Sequence, residues 1–342
     1  MEKFWLGMAI ILLSGVLNGS FALPLKYSVR WKWENTWLVF SVVGILSLPW
    51  LMAVCFVPHL ADVYRAAPAQ EIILAVTFGF IWGIAQATYG LSLVAVGLAV
   101  AVAVVSGLVC VSGALIPLLI LNPAALFRGQ GIFLLCSLPV LLVGLGAYAI
   151  AGRMREREQP TDGGEAPRSM SFKAGLGLCI FTGLFASAFN LGFAFSGDIL
   201  HRSLESGAVP ATAGYGVWSL VLGAGFIPNI LYCAYLLRRN RTFPTFFQTG
   251  WFRETGLAVS MALVWLSGLF LYGWGATLCG EYGTSIGFTL FMAMTVASSS
   301  ILGVSTGEWD STSKRSRRLL ASGVAAILLS VAILNLGGLL GR

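Results

Sequence analysis

The sequence predicts an all-α integral membrane protein of ten transmembrane helices, arranged as two inverted five-helix repeats. Three observations carry that expectation. Of 342 residues, 57% are hydrophobic and only 10% charged, against about 25% charged in an ordinary soluble domain, and the mean hydropathy is +0.85. The charged residues are bunched, and the apolar runs between them exceed the roughly 18 residues that mark a membrane-crossing helix. A pattern of aromatics and glycines recurs between the two halves. Together these exclude a water-soluble globule, a disordered chain and a secreted disulfide scaffold.

A helix rises about 1.5 Å per residue and the hydrocarbon core is about 30 Å thick, so about 20 apolar residues make one crossing. The charge-free stretches run 4 to 25, 36 to 57, 72 to 127, 129 to 152, 174 to 197, 206 to 237, 255 to 280, 282 to 307 and 319 to 341. The third, 56 residues long, must fold back on itself, giving helix 3 over 72 to 95 and helix 4 over 99 to 121 with a turn near Gly97. Asn122-Pro123 then stops helix 4. The hydrophilic run from Arg153 to Arg168 reads as a linker, since it cannot bury enough apolar surface to order itself. The expected organisation is a first repeat over 1 to 152, a cytoplasmic linker over 153 to 173 and a second repeat over 174 to 342. Helix 1 exceeds a signal-peptide core and lacks a small-residue cleavage site, so it is expected to be retained.

Orientation follows from Lys and Arg. The connections after helices 1, 3, 5, 7 and 9 hold 16 of the 21 basic residues. They are expected to be cytoplasmic, with both termini outside. The formal charge of +7 then sets orientation and contact with membrane lipid, and nucleic acid is not an expected partner. Six cysteines lie far apart in apolar runs, with no CxxC pair, and read as small apolar fillers. No His, Cys and acid group stands at metal-ligand spacing, so neither a metal nor another cofactor is expected.

Helices 3 and 8 share a pattern at an offset of 183 residues, Trp82, Tyr89, Gly90 and Gly97 recurring as Trp265, Tyr272, Gly273 and Gly280. Helices 1 and 6 give a fainter echo, with Gly7, Ser14, Gly15 and Phe21 against Gly175, Thr182, Gly183 and Phe189. Because five is odd, a duplicated five-helix unit must enter the membrane from the opposite side. Inverted halves of this kind underlie many secondary transporters, with the site between them opening alternately to each side.

Trp31-Lys-Trp-Glu-Asn-Thr-Trp37, Leu48-Pro-Trp50, Trp82-Gly-Ile and Tyr89-Gly-Leu91, with Asn229, Cys233 and Gly307-Glu-Trp309, carry a likeness over nearly the whole chain. In these motifs the sequence resembles the L-rhamnose–proton symporter family of the drug/metabolite transporter superfamily. The resemblance implies a ten-helix carrier in a bacterial inner membrane that imports a 6-deoxy sugar together with a proton. Departures from the family pattern are Gln86 and Thr88, where better-known members carry Asn, and Glu281, where they carry a small residue.

A membrane sugar site needs aromatic rings for the C–H face and amides or hydroxyls for the ring hydroxyls. Trp82, Gln86 and Tyr89 stand at i, i+4 and i+7 on one face of helix 3, with Gly79 and Gly83 permitting close approach. Trp265 and Tyr272 on helix 8 are candidates for the opposite wall. Asn18 and Asn190 are the next candidates, since an amide at membrane depth must be paired or face a wet cavity. Asn229 follows Pro228 and reads as a cap on backbone freed by the kink. Proton coupling, which the resemblance implies with the proton as coupling ion, needs a titratable group; Glu34 at the start of helix 2 ranks first and Glu281 second, and the sequence leaves proton versus sodium open. Trp31, Trp33 and Trp37 read as an interfacial belt, and Glu308, Trp309 and Asp310 as an anchor cluster.

Enzyme chemistry is not expected. Gly283-Thr-Ser285-Ile-Gly287 fits GxSxG, but that elbow needs a preceding strand, and the two histidines, His59 and His201, lie in connections. No Walker A motif points to ATP. An exporter or exchanger of another metabolite in the same superfamily is the alternative, and an intramembrane hydrolase is more remote. GxxxG pairs such as Gly15 to Gly19 serve packing within one chain as well as between two, so the sequence leaves oligomeric state open.

Overall fold

Ten helices long and apolar enough to cross a membrane make up most of the protein, and no strand occurs among the described residues. The computed structural model describes residues 2–96, 98–158 and 172–340. Helix 1 spans Glu2–Ser20 and continues through a tight 3-10 turn, Leu23–Tyr27. Helix 2 has three segments: Trp33–Phe40, a wide π-helical stretch Ser41–Ser47, and Leu48–Phe56. The wide stretch has a local cause. Pro49 crowds the carbonyl of the preceding turn, and the π geometry makes room for it, with the Leu48 N–H reaching back to the Val43 carbonyl.

Helix 3, Ala69–Val96, and helix 4, Leu98–Leu121, flank Gly97, which lies outside the described residues. Helix 4 stops ahead of Asn122-Pro123. Helix 5, Gln130–Glu158, runs past the linker start expected at 153. Its charged overhang persists because it is paired: Arg155 meets Glu308 at 2.9 Å, and Glu158 accepts from the Ser313 N–H at 2.7 Å and the Ser316 hydroxyl at 2.9 Å. The rest of the expected linker, 159 to 171, lies outside the described residues.

Helix 6 is broken, with Phe172–Ala186 and Ala188–Ala194 meeting at Ser187, whose hydroxyl satisfies the Leu184 carbonyl at 2.6 Å. An amphipathic segment, Gly197–Glu205, follows. Helix 7, Tyr215–Asn240, carries Pro228 inside it, and the Asn229 amide donates to the Gly225 carbonyl at 2.9 Å beside that kink. Helices 8, 9 and 10 are Trp251–Cys279, Ile286–Ser305 and Lys314–Leu340.

Helix 1 packs on helices 8 and 9, and helix 6 on helices 3 and 4. Helix 3 lies along helix 7, helix 8 along helix 2, and helices 5 and 10 along each other. Exchanging each helix with the one five places on maps this set of neighbours onto itself. Small residues set the closest crossings. A Cβ added at Gly79 would stand 2.1 Å from the Val221 carbonyl oxygen, and one at Gly83 2.4 Å from that of Gly225. The same holds between helices 5 and 10, where Gly144 and Gly323 each abut the other's carbonyl oxygen.

The ends of the bundle are tied by carboxylates. On the face carrying the basic connections, Glu254 at the start of helix 8 accepts from the Ser28 hydroxyl at 2.6 Å and the Val29 N–H at 3.2 Å. There too, Glu308 bridges Lys26 and Arg155, and Arg155 lies over the Trp309 ring. On the other face, Glu71 at the start of helix 3 accepts from the N–H groups of Asp198 at 3.0 Å and Ile199 at 3.2 Å. Glu71 and Glu254 stand 183 residues apart, the offset that relates Trp82 to Trp265.

Gly83→Ala is expected to lower stability by about 1–3 kcal/mol through overpacking against helix 7. Gly146→Ala, where a Cβ meets nothing within 4 Å, is expected to be neutral or to gain about 0.5–1 kcal/mol from helix propensity. Thermal unfolding of the two variants in detergent checks the contrast.

Burial of Glu308 works to raise its pKa, but the bonds and charges of Lys26 and Arg155 outweigh it and hold the carboxyl below the ordinary 4.5. A lowered folded pKa contributes stability above the unfolded value and loses it as pH falls through the folded one. Acid titration of thermal stability should therefore show a loss below about pH 4.5 that Glu308→Gln reduces, the remainder coming from Glu254 and Glu158, whose carboxylates also accept hydrogen bonds, those from Ser313 and Ser316 holding Glu158 below the ordinary value.

Candidate functional site

A cavity of about 430 Å³ opens between helices 1, 2, 3, 4, 6, 8 and 9. That size falls in the range of small-molecule pockets, roughly 300–1,000 Å³. It reaches the basic face beside Ala22, Leu25 and Trp33, with Ala22 and Trp33 exposed. Its other end is closed by packed aromatic rings.

Helix 3 delivers its expected face. Trp82, Gln86 and Tyr89 all line the cavity, as one side of a 3.6-residue spiral must when i, i+4 and i+7 share a stripe. Trp265 from helix 8 joins them, its ring stacked on Trp82 with centroids 6.3 Å apart and planes within 10°. Each stacked layer needs roughly 3.5–4 Å, so no sugar ring fits between the two indoles. They form a single ledge. Asn18 lines the wall from helix 1; its amide nitrogen donates to Thr295 at 3.1 Å, which leaves its carbonyl oxygen for an incoming hydroxyl.

Tyr272 and Asn190 lie elsewhere. Tyr272 is 0% exposed, and its hydroxyl donates to the Asn190 carbonyl oxygen at 2.5 Å. Asn190 in turn donates to the backbone carbonyls of Gly113 at 2.8 Å and Thr284 at 2.7 Å. An amide in apolar surroundings must satisfy all its groups, and this one does so without any ligand. The pair belongs to the plug that ends the cavity, with Phe189, Phe193, Trp218, Phe288 and Phe291 around it.

The wall also contains residues to which the sequence had given other work or none. Trp33 and Trp37, stacked at 5.1 Å, stand at the mouth of the cavity. The Trp37 indole N–H donates to the Asn229 carbonyl oxygen at 3.1 Å, so the cap of the helix 7 kink also holds a cavity ring. Thr182 and Ser106 add hydroxyls, and Thr182 donates to Thr88 at 2.8 Å. Only Thr182 carried a signal, as the repeat partner of Ser14. Ser106 carried none.

No charged side chain is among the described residues lining the cavity. Glu34, 4% exposed, sits between the mouth residues Trp33 and Trp37 in sequence but turns to helix 7. One of its oxygens accepts from Asn240 at 3.0 Å and Thr242 at 2.8 Å. Glu281 falls in the turn Gly280–Tyr282, and its side chain lies outside what is described. Ser285 of the GxSxG run is 1% exposed at the start of helix 9. Among the described residues no group of His, Cys, Asp and Glu is placed to hold a metal.

Residues 2–339 match the family described as L-rhamnose-proton symport protein. The chain belongs to this family. L-rhamnose-proton symporters of Klebsiella pneumoniae and Escherichia coli are each 24% identical to it, over 93% of both chains. That of Cronobacter sakazakii is 24% identical over 97% of both. Family members are transporters, so the GxSxG run is packing, not a nucleophile elbow. The family assignment and a cavity whose described lining residues carry no charge point to the same chemistry, an uncharged and hydroxylated cargo.

Proposed function

We propose that the protein takes up L-rhamnose, or a closely related 6-deoxy sugar, with a proton by alternating access in a bacterial inner membrane. The observation that carries the reading is the cavity itself: indole and phenyl faces with amides and hydroxyls, and no lining charge among the described residues. A hydroxylated ring carrying an apolar methyl suits that wall. An amino acid does not, because burying its carboxylate and ammonium without counter-charges is costly. Asn18, Gln86 and Tyr89, with Ser106 and Thr182, take the sugar hydroxyls, and the Trp82–Trp265 ledge takes the C–H face.

The two five-helix halves act as inverted relatives. The exchange symmetry of the helix neighbours and the paired carboxylates Glu71 and Glu254 on opposite faces support that arrangement. The basic face is assigned to the cytoplasm and both termini to the outside, so this conformation opens inward. Glu34 is the assigned proton site, with Glu281 second: a buried acid that ties helix 2 to the end of helix 7 changes that tie when it takes up a proton.

Proteoliposomes should accumulate L-rhamnose against its gradient when a proton gradient is imposed, and a protonophore should abolish accumulation. Sodium-dependent uptake indifferent to the proton gradient would refute symport with protons. Gln86→Ala is expected to raise the half-saturating sugar concentration about tenfold, the worth of one well-made hydrogen bond. Glu34→Gln is expected to keep sugar exchange between equal pools while losing uphill accumulation. Retained accumulation removes Glu34 from the coupling role.

A further inference from the structure

We propose that the plug closing the inner end of the cavity is a second sugar-binding station, latent in this conformation. It is built from Tyr272, Asn190, Trp218 and Ser285 and serves the face opposite the basic connections. The inference rests on the alternating-access reading above and adds to it where the sugar first binds.

The repeat supplies the first argument. Tyr89 lines the open cavity, whereas its partner Tyr272, 183 residues on, is sealed. Phe189, the partner of Phe21, lines the cavity as Phe21 does and stacks on Trp218 at 4.8 Å, where the cavity meets the plug. The two tyrosines thus stand one in the path and one in the seal, with Phe189 at the boundary between them. When two related halves exchange conformations, the sealed set becomes the lining set.

Unpaired polar atoms supply the second argument, independently of the repeat. The Trp218 indole N–H and the Ser285 hydroxyl are buried without a hydrogen-bond partner, although both residues are at most 1% exposed. A permanent aromatic seal gains nothing from orphaned donors, and buried groups in native proteins are overwhelmingly paired. Both atoms adjoin the latch. A Cβ on Gly273, next to Tyr272, would stand 2.7 Å from the Trp218 nitrogen, and Ser285 follows Thr284, whose carbonyl takes a bond from Asn190. Parting of helices 4, 6, 8 and 9 releases the Tyr272 hydroxyl and the Asn190 amide beside these two orphans. The released set combines ring faces with a phenol, an amide, an indole N–H and a hydroxyl, the inventory of the open cavity. Its ligand is therefore the same class, a neutral monosaccharide.

The test is directional thiol labelling in proteoliposomes, with the six native cysteines replaced and a membrane-impermeant reagent added at the face opposite the basic connections. Ser285→Cys, or Thr284→Cys if the first does not fold, should be modified, and L-rhamnose should protect it. Ser137→Cys, buried in helix 5, should stay unmodified. Adding Trp218→Phe keeps the ring and removes the N–H, so it should raise the sugar concentration for half-protection by about three- to tenfold with the sugar-free labelling rate unchanged. A transport-active Ser285→Cys or Thr284→Cys protein that never labels overturns the proposal. So does labelling that sugar does not slow, or half-protection indifferent to Trp218→Phe. Failure of the parent protein to take up L-rhamnose instead refutes the functional reading on which this rests.

Discussion

Hydrocarbon offers no hydrogen bonds, and every polar atom in this bundle answers to that constraint. The Ser187 hydroxyl covers a carbonyl at the break in helix 6, the Asn229 amide does so beside the Pro228 kink, and Asn190 uses both donors and its acceptor. Gln86 instead faces the cavity, and the side-chain polar atoms of Thr36, Ser41, Trp218 and Ser285 are buried without a partner. Carboxylates stay at the two ends, collecting backbone N–H groups and cations that would otherwise lie bare. The architecture is therefore as much a solution to hydrogen-bond bookkeeping as to hydrophobic burial.

Symmetry in the packing and asymmetry in the aromatic rings coexist. Helix neighbours obey the five-place exchange, yet Tyr89 and Tyr272 occupy opposite circumstances. Helices 5 and 10 clasp each other through Gly144 and Gly323 at backbone contact. Helices 2, 4, 6 and 7 carry the irregularities: a π stretch, a break at Ser187, and internal prolines at Pro117 in helix 4 and Pro228 in helix 7. Irregular backbone sits in the helices that bound the cavity and its plug, whereas the clasp is regular save for Pro139. That division suits a fixed frame with moving walls.

The crossings were legible because length and apolarity are what a bilayer demands, and the helix 3 face was legible because helical spacing dictates it. Trp82, Gln86 and Tyr89 needed nothing more. Tyr272 and Asn190 show the limit of such reasoning: spacing places a side chain on a face but does not say whether that face is open or sealed in one conformation. In sequence, Trp33 and Trp37 read only as interfacial, because interfacial and cavity-mouth tryptophans share a composition and spacing does not announce a cavity wall. Glu158 and Arg155 extended helix 5 beyond a boundary drawn from charge alone, since partners distant in sequence stabilise an overhang that polarity marks as linker. Ser106 gave no warning, being one hydroxyl in an apolar run.

A wall without fixed charge among its described residues has a metabolic corollary. A neutral hexose can leave such a site as readily as it arrives, so the carrier by itself retains nothing once its driving force lapses. Adding a phosphoryl group to the sugar would place about two negative charges on a wall whose described residues offer no cation to receive them. The tagged sugar would be refused. Retention of the cargo is thereby handed to whichever enzyme first makes it anionic, and the pore's plainness becomes a valve.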